Sequence, residues 1–317
     1  MKKRYLLAAL GLVAMPVLAQ EPTVMAAPQP ADPPPAVTDV AQRAAIKKIH
    51  VKKIVLVGDS TIQVGSGWGP GFCTYHVTSF TTCTNLARGG RSSFTYRAEG
   101  SWDIALSEMK TQGYDKIYVL IQFGHNDQPG KPGRTTDLYK EFPANLAGYV
   151  SDARAAGAVP VLVTPLTRRS FKDGSLQDDL EPWSAAVRKV AHDMNVPLVD
   201  LHAVSVAAVQ KMGAKAAAEL AQTAPTPEVL AAAAKGTTIA PVRQDGPVTP
   251  PVTPTATPAA TSTATSTATE VVETPQARRV VSFDYTHVGD KGAAVFAALV
   301  AGELARAVPD LRKDLIP

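Results

Sequence analysis

The chain has 317 residues, of which 45% are hydrophobic and 19% charged, and two compositionally biased stretches indicate that only part of it is globular. Its formal net charge is +4, which falls to +1 if a leader carrying Lys2, Lys3 and Arg4 is removed. The basic residues form no stripe with interleaved aromatic side chains, which argues against nucleic acid as a partner.

Residues 1–19 have the pattern of a secretory signal peptide. The basic start is followed by an apolar run over residues 5–17 and by the small residue Ala19, where we expect cleavage. The run is too short for a membrane anchor, because a bilayer-spanning helix needs about 20 residues. No cysteine follows the cleavage site to carry a lipid, and no later segment is long and apolar enough to span a membrane. The sequence therefore predicts a secreted or periplasmic protein without a stable membrane anchor.

Two further stretches are of low complexity. Residues 20–48, rich in Pro and Ala, cannot bury enough apolar surface to fold and are predicted to form a disordered leader. Residues 223–276 are predicted to form a disordered Thr/Pro/Ala insertion. We interpret it as a tolerated surface loop, since long loops cost little closure entropy, with an O-glycosylated stalk as the alternative. One domain is then predicted from residues 49–222 and 277–317.

Within this domain, short apolar runs alternate with stretches of helical periodicity. Near-continuous apolar runs are typical of parallel strands that are buried on both faces. The alternation predicts an α/β fold, a three-layer αβα sandwich with a central parallel sheet. The predicted strands cover residues 52–57, 83–87, 116–123, 159–164 and 196–201, and the predicted helices cover 138–156, 181–194 and 291–307.

Polar segments with catalytic residue types follow several of these strands, at the edge of a parallel sheet where ligands bind. After the first strand, Gly58 allows a sharp turn that presents Ser60 near a helix N-terminus, whose free N–H groups can face an oxyanion. A plain helix cap is the alternative. After the second strand, Gly89 and Gly90 allow a backbone N–H to approach a substrate closely, unless they only form a turn.

Two later segments supply complementary groups. Asn126, after the third strand, carries a side-chain amide suited to an oxyanion donor, with a simple turn as the alternative. Asp284 and His287 lie three residues apart on a loop, so the carboxylate can orient the imidazole, which then takes the proton from Ser60. A capping Asp with a surface His is the alternative. The order Ser, Asp, His is one of several that build such a triad.

Together, the segments GDST, the glycine at 90, GHND and DYTH resemble the blocks of the SGNH (GDSL-type) hydrolase superfamily. The resemblance covers residues 52–212 and 280–307. It implies the flavodoxin-like SGNH hydrolase fold and serine ester hydrolysis that needs neither cofactor nor metal. The roles that it implies are nucleophile Ser60, base His287, orienting Asp284, and an oxyanion hole from Ser60, Gly90 (or Gly89) and Asn126.

A narrower resemblance is to the rhamnogalacturonan acetylesterase branch, which deacetylates pectic polysaccharides. It is carried by Gly-Trp-Gly at 67–69, Gly-Arg-Ser-Ser at 90–93 and FGHND at 123–127. It implies an esterase that removes O-acetyl groups from pectic rhamnogalacturonan. With the predicted signal peptide, we expect a secreted protein that acts as a monomer on an acetylated polysaccharide. A lipolytic or short-chain ester hydrolase and a peptidoglycan O-acetylesterase are alternatives in the same superfamily. A non-catalytic carbohydrate-binding protein is the alternative of another class.

Three residues near these blocks are candidate substrate contacts. Trp68 can stack on a sugar ring or pack against the wall of the site. Arg91 can bind the carboxylate of an acidic sugar or form a surface salt bridge. His125, beside the candidate oxyanion donor, can line the site or donate to a substrate oxygen.

Two pairs of residues complete the candidates. Cys73 and Cys83 are close in sequence, which in an exported protein predicts a disulfide, with two buried thiols as the alternative. Two cysteines without a nearby pair of histidines do not make a zinc site. Asp200 and His202 form an Asp-x-His that resembles a catalytic pair, but the loop position of the DYTH segment suits exposed catalytic groups better.

Overall fold

The computed structural model describes residues 49–240 and 282–316. The predicted signal peptide and the Pro/Ala-rich leader, residues 1–48, lie outside the described residues. The same holds for residues 241–281, which comprise most of the predicted insertion and the residues directly after it. Of the helices between residues 49 and 316 that the structure describes, none combines the length and apolarity needed to span a bilayer.

Five parallel strands form the central sheet in the order β2–β1–β3–β4–β7, and a small antiparallel hairpin, β5–β6, lies apart from it. The first and third strands, KKIVLVG and KIYVLIQ, are buried along almost their whole length, because helices cover the sheet on both sides. The strands are β1 (Lys52–Gly58), β2 (Thr81–Asn85), β3 (Lys116–Gln122), β4 (Val159–Val163), β5 (Phe171–Lys172), β6 (Ser175–Leu176) and β7 (Leu198–Val199).

Helices pack on both faces of this sheet and enclose two hydrophobic cores. One core contains Phe72, Phe296 and Leu304, and the other contains Trp102 and Tyr149. The predicted three-layer αβα fold is therefore confirmed. The helices are α1 (Gly69–Tyr75), α2 (Thr95–Ala98), α3 (Ser101–Met109), α4 (Glu141–Ala155), α5 (Glu181–Asp193), α6 (Leu201–Ala218), α7 (Pro227–Ala234), α8 (Asp290–Ala307) and a final 3₁₀ helix (Pro309–Asp314).

The predicted insertion begins with ordered structure, so the prediction of disorder from residue 223 is wrong for residues 223–240. Helix α7 lies in this stretch, and Thr226 caps it by accepting a hydrogen bond from the N–H of Val229. The proline at its first turn favours a helix start. Val229 and Ala233 lie four residues apart on one face of the helix and are both buried.

The fifth sheet strand is shorter than predicted. It ends at Val199, because the side chain of Asp200 accepts the N–H of Ala203 and starts helix α6 at Leu201.

The predicted disulfide joins Cys73 of α1 to Cys83 of β2, with the two Cα atoms 5.4 Å apart. This bond links the segment that follows the first strand to the second strand.

Candidate active site

The strand order brings two of the polar segments side by side. The chain passes from β1 to β2 on one side of β1 and then to β3 on the other side. Open α/β sheets bind ligands at the carboxyl ends of the strands where the order reverses in this way. Ser60 follows β1 and Asn126 follows β3, and the two strands end together, with Gly58 opposite Gln122. Both side chains line one cleft of about 740 Å³.

Three of the predicted residues form a continuous hydrogen-bonded chain in this cleft. His287 Nε2 lies 2.8 Å from Ser60 Oγ, and its Nδ1 lies 2.7 Å from Asp284 Oδ2. The other carboxylate oxygen of Asp284 accepts the backbone N–H groups of Thr286 and His287, both at 2.7 Å. The loop thus fixes the carboxylate, the carboxylate fixes the ring, and the ring faces the hydroxyl.

The surroundings of Asp284 keep it ionised. Burial raises the pKa of this carboxyl, but the hydrogen bond and charge of His287 and the backbone N–H groups outweigh burial and hold the pKa below its usual value. An ionised carboxylate at Nδ1 stabilises the imidazolium that forms when Nε2 accepts a proton. The arrangement can therefore activate the Ser60 hydroxyl as a nucleophile.

A second carboxylate fixes the turn that carries the nucleophile. Asp59 is fully buried, and its Oδ1 accepts both the backbone N–H and the hydroxyl of Thr61 at 2.8 Å. Its Oδ2 lies 3.6 Å from Nδ1 of His125. Burial raises the pKa of Asp59, but the nearby imidazole of His125 and the two hydrogen bonds from Thr61 outweigh burial and hold the pKa below its usual value. Asp59 is therefore an ionised anchor for the Ser60 turn.

The predicted oxyanion donors also lie along the cleft. Gly90 has φ +79°, a left-handed conformation that favours glycine, and its neighbour Gly89 lines the same cleft. The Asn126 side chain is buried, and its Nδ2 donates to the carbonyl of Arg91 at 3.0 Å, which fixes the amide. One of the two amide protons serves this bond, so the other is available to a substrate oxygen.

Asp127 holds the glycine loop against the segment that carries Asn126. It is fully buried and accepts from the backbone N–H and hydroxyl of Ser93 and from the hydroxyl of Thr136. Burial raises the pKa of Asp127 to about 6, although the bonds from Ser93 and Thr136 act in the opposite direction. The last residue of GHND is therefore a structural link between two parts of the cleft.

Arg169, which the sequence analysis missed, holds the loop of the Asp–His pair. It is fully buried, and its guanidinium donates to the carbonyls of Thr286 at 3.1 Å and of His287 at 2.7 Å. Its own N–H donates to the carbonyl of Tyr285 at 2.9 Å. Burial lowers the pKa of Arg169 to about 10, while the charge of Asp284 acts in the opposite direction. A buried arginine has no periodic sequence signal that would separate it from its exposed neighbours.

The structure decides between the alternatives for two candidate substrate contacts. Trp68 is fully buried and donates from Nε1 to Gln122 Oε1 at 3.0 Å, so the stacking hypothesis is wrong because no face of the indole is open. Arg91 lines the cleft, but its Nε donates to Glu99 at 2.8 Å, as in the salt-bridge alternative. His125 also lines the cleft and is buried against Asp59.

The Asp-x-His pair is separate from the cleft. Asp200 caps α6 and binds Arg188, with Oδ2 2.8 Å from the guanidinium Nε. His202, Asp178 and Glu181 are the one group of the described residues whose donor atoms lie close enough together, within 4.8 Å, to hold a metal ion. Their carboxylates already have structural partners: Asp178 accepts the N–H of Glu181, and Glu181 binds Arg188. None of these residues lines the cleft.

Known proteins resemble this chain over part of its length. The profile of a family described as GDSL-like Lipase/Acylhydrolase matches residues 56–217. Two proteins of Bacillus subtilis (strain 168) are similar in sequence. The chain is 34% identical over 167 residues to the probable rhamnogalacturonan acetylesterase YesY, covering 50% of this chain and 75% of YesY. It is 36% identical over 157 residues to the rhamnogalacturonan acetylesterase RhgT, covering 47% of this chain and 64% of RhgT.

A solved structure shows the same fold. The crystal structure of protein YXIM_BACsu from Bacillus subtilis aligns with a TM-score of 0.54 and 19% sequence identity. The alignment covers 81% of this chain and 57% of that chain, so the likeness concerns the shared sheet and helices.

Proposed function

Because the chain belongs to the GDSL-like lipase/acylhydrolase family and is a carboxylic ester hydrolase, we propose that it removes O-acetyl groups from a carbohydrate, with pectic rhamnogalacturonan as the substrate. The observation that carries the proposal is the chain of contacts from Ser60 through His287 to Asp284, at 2.8 and 2.7 Å. The resemblance to two rhamnogalacturonan acetylesterases supports the choice of substrate.

In the first step, Ser60 Oγ attacks the acetyl carbonyl while His287 Nε2 takes its proton. Asp284 stabilises the imidazolium that results. The N–H groups of Ser60 and Gly90 and the amide of Asn126 donate to the oxyanion of the tetrahedral intermediate. A donor of this kind contributes about 3 kcal/mol to the transition state.

When the first tetrahedral intermediate collapses, the bond between the acetyl carbon and the sugar oxygen breaks, His287 gives its proton to that oxygen, and the carbohydrate leaves with a free hydroxyl. The acetyl group remains as an ester of Ser60. Water, deprotonated by His287, then attacks this ester through a second tetrahedral intermediate, and acetate leaves as Ser60 regains its proton.

The chemistry of the cleft favours a polar substrate over a long acyl chain. Among the described residues that line it, none has an aliphatic or phenyl side chain, and the lining includes Gln63, Thr95, Asn126 and several cations. A lipase needs apolar surface to hold its acyl chain. This lining supports the carbohydrate substrate against the lipolytic alternative.

We also propose that the protein is exported and acts as a monomer on its polysaccharide. The pattern of residues 1–19 supports export. The disulfide between Cys73 and Cys83 supports it independently, because disulfides persist in oxidising compartments.

Acetate release from acetylated rhamnogalacturonan, acetylated xylan and O-acetylated peptidoglycan tests the proposal. We expect release from rhamnogalacturonan at the highest kcat/KM and none from the Ser60→Ala variant. Ser107→Ala, at an exposed serine of α3, is the matched control and retains full activity. Preferential release from peptidoglycan would replace the proposed substrate, and a fully active Ser60→Ala variant would overturn the mechanism.

A further inference from the structure

Besides Arg91, which is paired with Glu99, three cations line the cleft that contains Ser60. Lys131 and Arg134 belong to the loop between β3 and α4, and Arg168 follows β4. Arg134 Nη1 donates to the carbonyl of Gly90 at 3.2 Å, so its guanidinium lies directly beside the candidate oxyanion donor. Arg134 is therefore adjacent to the expected oxyanion position, and Lys131 and Arg168 line the same cleft.

This set of charges is only partly compensated by the protein. None of the described residues that line the cleft is an aspartate or glutamate. Arg168 forms an ion pair with the half-exposed Asp179, and its Nε lies 3.3 Å from Thr286 Oγ1. Between residues 49 and 240 and between 282 and 316, no carboxylate lies within 4.0 Å of the side-chain nitrogens of Lys131 or Arg134. Two positive charges are thus left for another partner.

The cations also act on one another. Partial burial lowers the pKa of Lys131, and the positive charges of Arg168 and Arg134 lower it further, while Asp179 only partly offsets them. Like charges held together at a concave surface raise the local potential and attract an anion. Arg91, the cation that the sequence analysis considered, is already bound to Glu99 and to the carbonyl of Gly89.

We propose that Lys131, Arg134 and Arg168 bind the carboxylate of a uronic acid residue of the acetylated polymer. The inference rests on the proposed carbohydrate substrate and assigns the groups that select an acidic polymer. A guanidinium matches a carboxylate with two parallel hydrogen bonds, and Lys131 adds a mobile point charge. Because Arg134 contacts Gly90, a uronate held there places the neighbouring acetyl ester near the oxyanion donors.

The test uses two matched polymers: acetylated rhamnogalacturonan, and the same polymer with its carboxyl groups reduced to alcohols and re-acetylated to the same degree. We expect the wild-type kcat/KM to be about tenfold higher on the acidic polymer, because charged hydrogen bonds are made only with it. The ratio of the two values should fall as NaCl is raised. In the Arg134→Ala and Lys131→Ala variants, the ratio of kcat/KM on the acidic polymer to that on the reduced polymer should fall towards one.

Arg312→Ala is the matched control for loss of one positive charge. Arg312 is exposed in the final 3₁₀ helix, whose residues Asp310 and Asp314 contact Lys52 at the amino end of β1, so it lies at the opposite edge of the sheet. This variant should keep the wild-type ratio at every salt concentration.

The outcomes separate this subsite from the proposed function. Equal kcat/KM on the two polymers, with no salt effect, overturns the uronate subsite and leaves the acetylesterase intact. Acetate release from neither polymer, with 4-nitrophenyl acetate still hydrolysed, overturns the carbohydrate substrate and the subsite with it. A preference for O-acetylated peptidoglycan over both polymers assigns the anion to a muramyl or peptide carboxylate and overturns the uronate.

Discussion

The guanidinium of Arg169 donates to the backbone carbonyl of His287, with Nη2 2.7 Å from the oxygen. The bond fixes the residue that serves as base in the proposed mechanism, through its main chain and from a fully buried position. The neighbouring carbonyl of Thr286 accepts from the same group at 3.1 Å. One buried side chain therefore holds the backbone of this loop, and the imidazole of His287 remains at the cleft.

Replacement of Arg169 should lower kcat more than it changes KM. In Arg169→Met the carbonyls of Thr286 and His287 lose their donors, and each lost bond to a charged group costs about 1.5–3 kcal/mol. The imidazole is then less well placed for proton transfer, and we expect kcat for 4-nitrophenyl acetate to fall at least about tenfold. Arg169→Lys should recover part of this loss. Thermal unfolding measured beside the kinetics provides the control: a destabilised variant with wild-type kcat would contradict the role.

Much of the fold and of the site follows from the sequence because both depend on strands. The runs at β1 and β3 are apolar on both faces, which identifies buried parallel strands without knowledge of their neighbours. Parallel strands share a carboxyl edge, so residues such as Ser60 and Asn126 are brought together by topology alone. The pairing of Asp284 with His287 could also be predicted, because an Asp-x-x-His spacing allows the carboxylate to contact the imidazole ring.

The features that the sequence did not reveal depend on contacts between distant residues. Trp68 is covered on all sides, and a glycine on either side of a tryptophan does not indicate burial. Arg168 and Arg169 are adjacent, yet one faces the cleft and the other is fully enclosed. Helix α7 was not predicted, because the Thr/Pro/Ala-rich residues after it indicated disorder for the whole stretch. The Thr-Pro signal for a helix start was nevertheless present.

Helix α7 should stabilise the fold next to the loop of the Asp–His pair. Val229 packs in a small core with Ala218, Ala221 and Phe283, and Phe283 immediately precedes Asp284. Val229→Ala removes two buried methyl groups and should lower the free energy of unfolding by about 1–2 kcal/mol, measured by urea denaturation. Ala231→Ser, at an exposed position of the same helix, should be nearly neutral. An unchanged midpoint for Val229→Ala would show that α7 does not contribute to the fold.

Removal of the disulfide should reduce stability without removing activity. Cys73 and Cys83 close a loop of about ten residues, and such a cross-link stabilises the folded state by about 2–3 kcal/mol through the unfolded chain. The double variant Cys73→Ser/Cys83→Ser should unfold at lower urea and keep its kcat. Reductant should shift the wild-type midpoint and leave that of the double variant in place. A wild-type midpoint that is insensitive to reductant under unfolding conditions would contradict the prediction.

The buried carboxyl of Asp127 should make stability depend on pH in an unusual direction. Its pKa is raised from 3.8 to about 6, so the folded state binds this proton more tightly than the unfolded state. The stabilisation is complete below about pH 4 and is lost as the pH rises through 6, with a size of about 1–3 kcal/mol. Asp127→Asn keeps an acceptor for Ser93 and Thr136 but cannot titrate. Other carboxyl groups titrate equally in both proteins, so the difference between them isolates this effect.

The measurement is the free energy of unfolding in urea at pH 4.5 and pH 7 for the wild type and for Asp127→Asn. Between these pH values the wild type should lose more stability, or gain less, than the variant. This direction follows from the raised pKa of Asp127. A carboxyl with a lowered pKa, such as Asp59 or Asp284, would instead make the free energy of unfolding increase with pH. Parallel pH profiles for the two proteins would mean that Asp127 keeps an ordinary pKa and that its hydrogen bonds from Ser93 and Thr136 fully compensate for its burial.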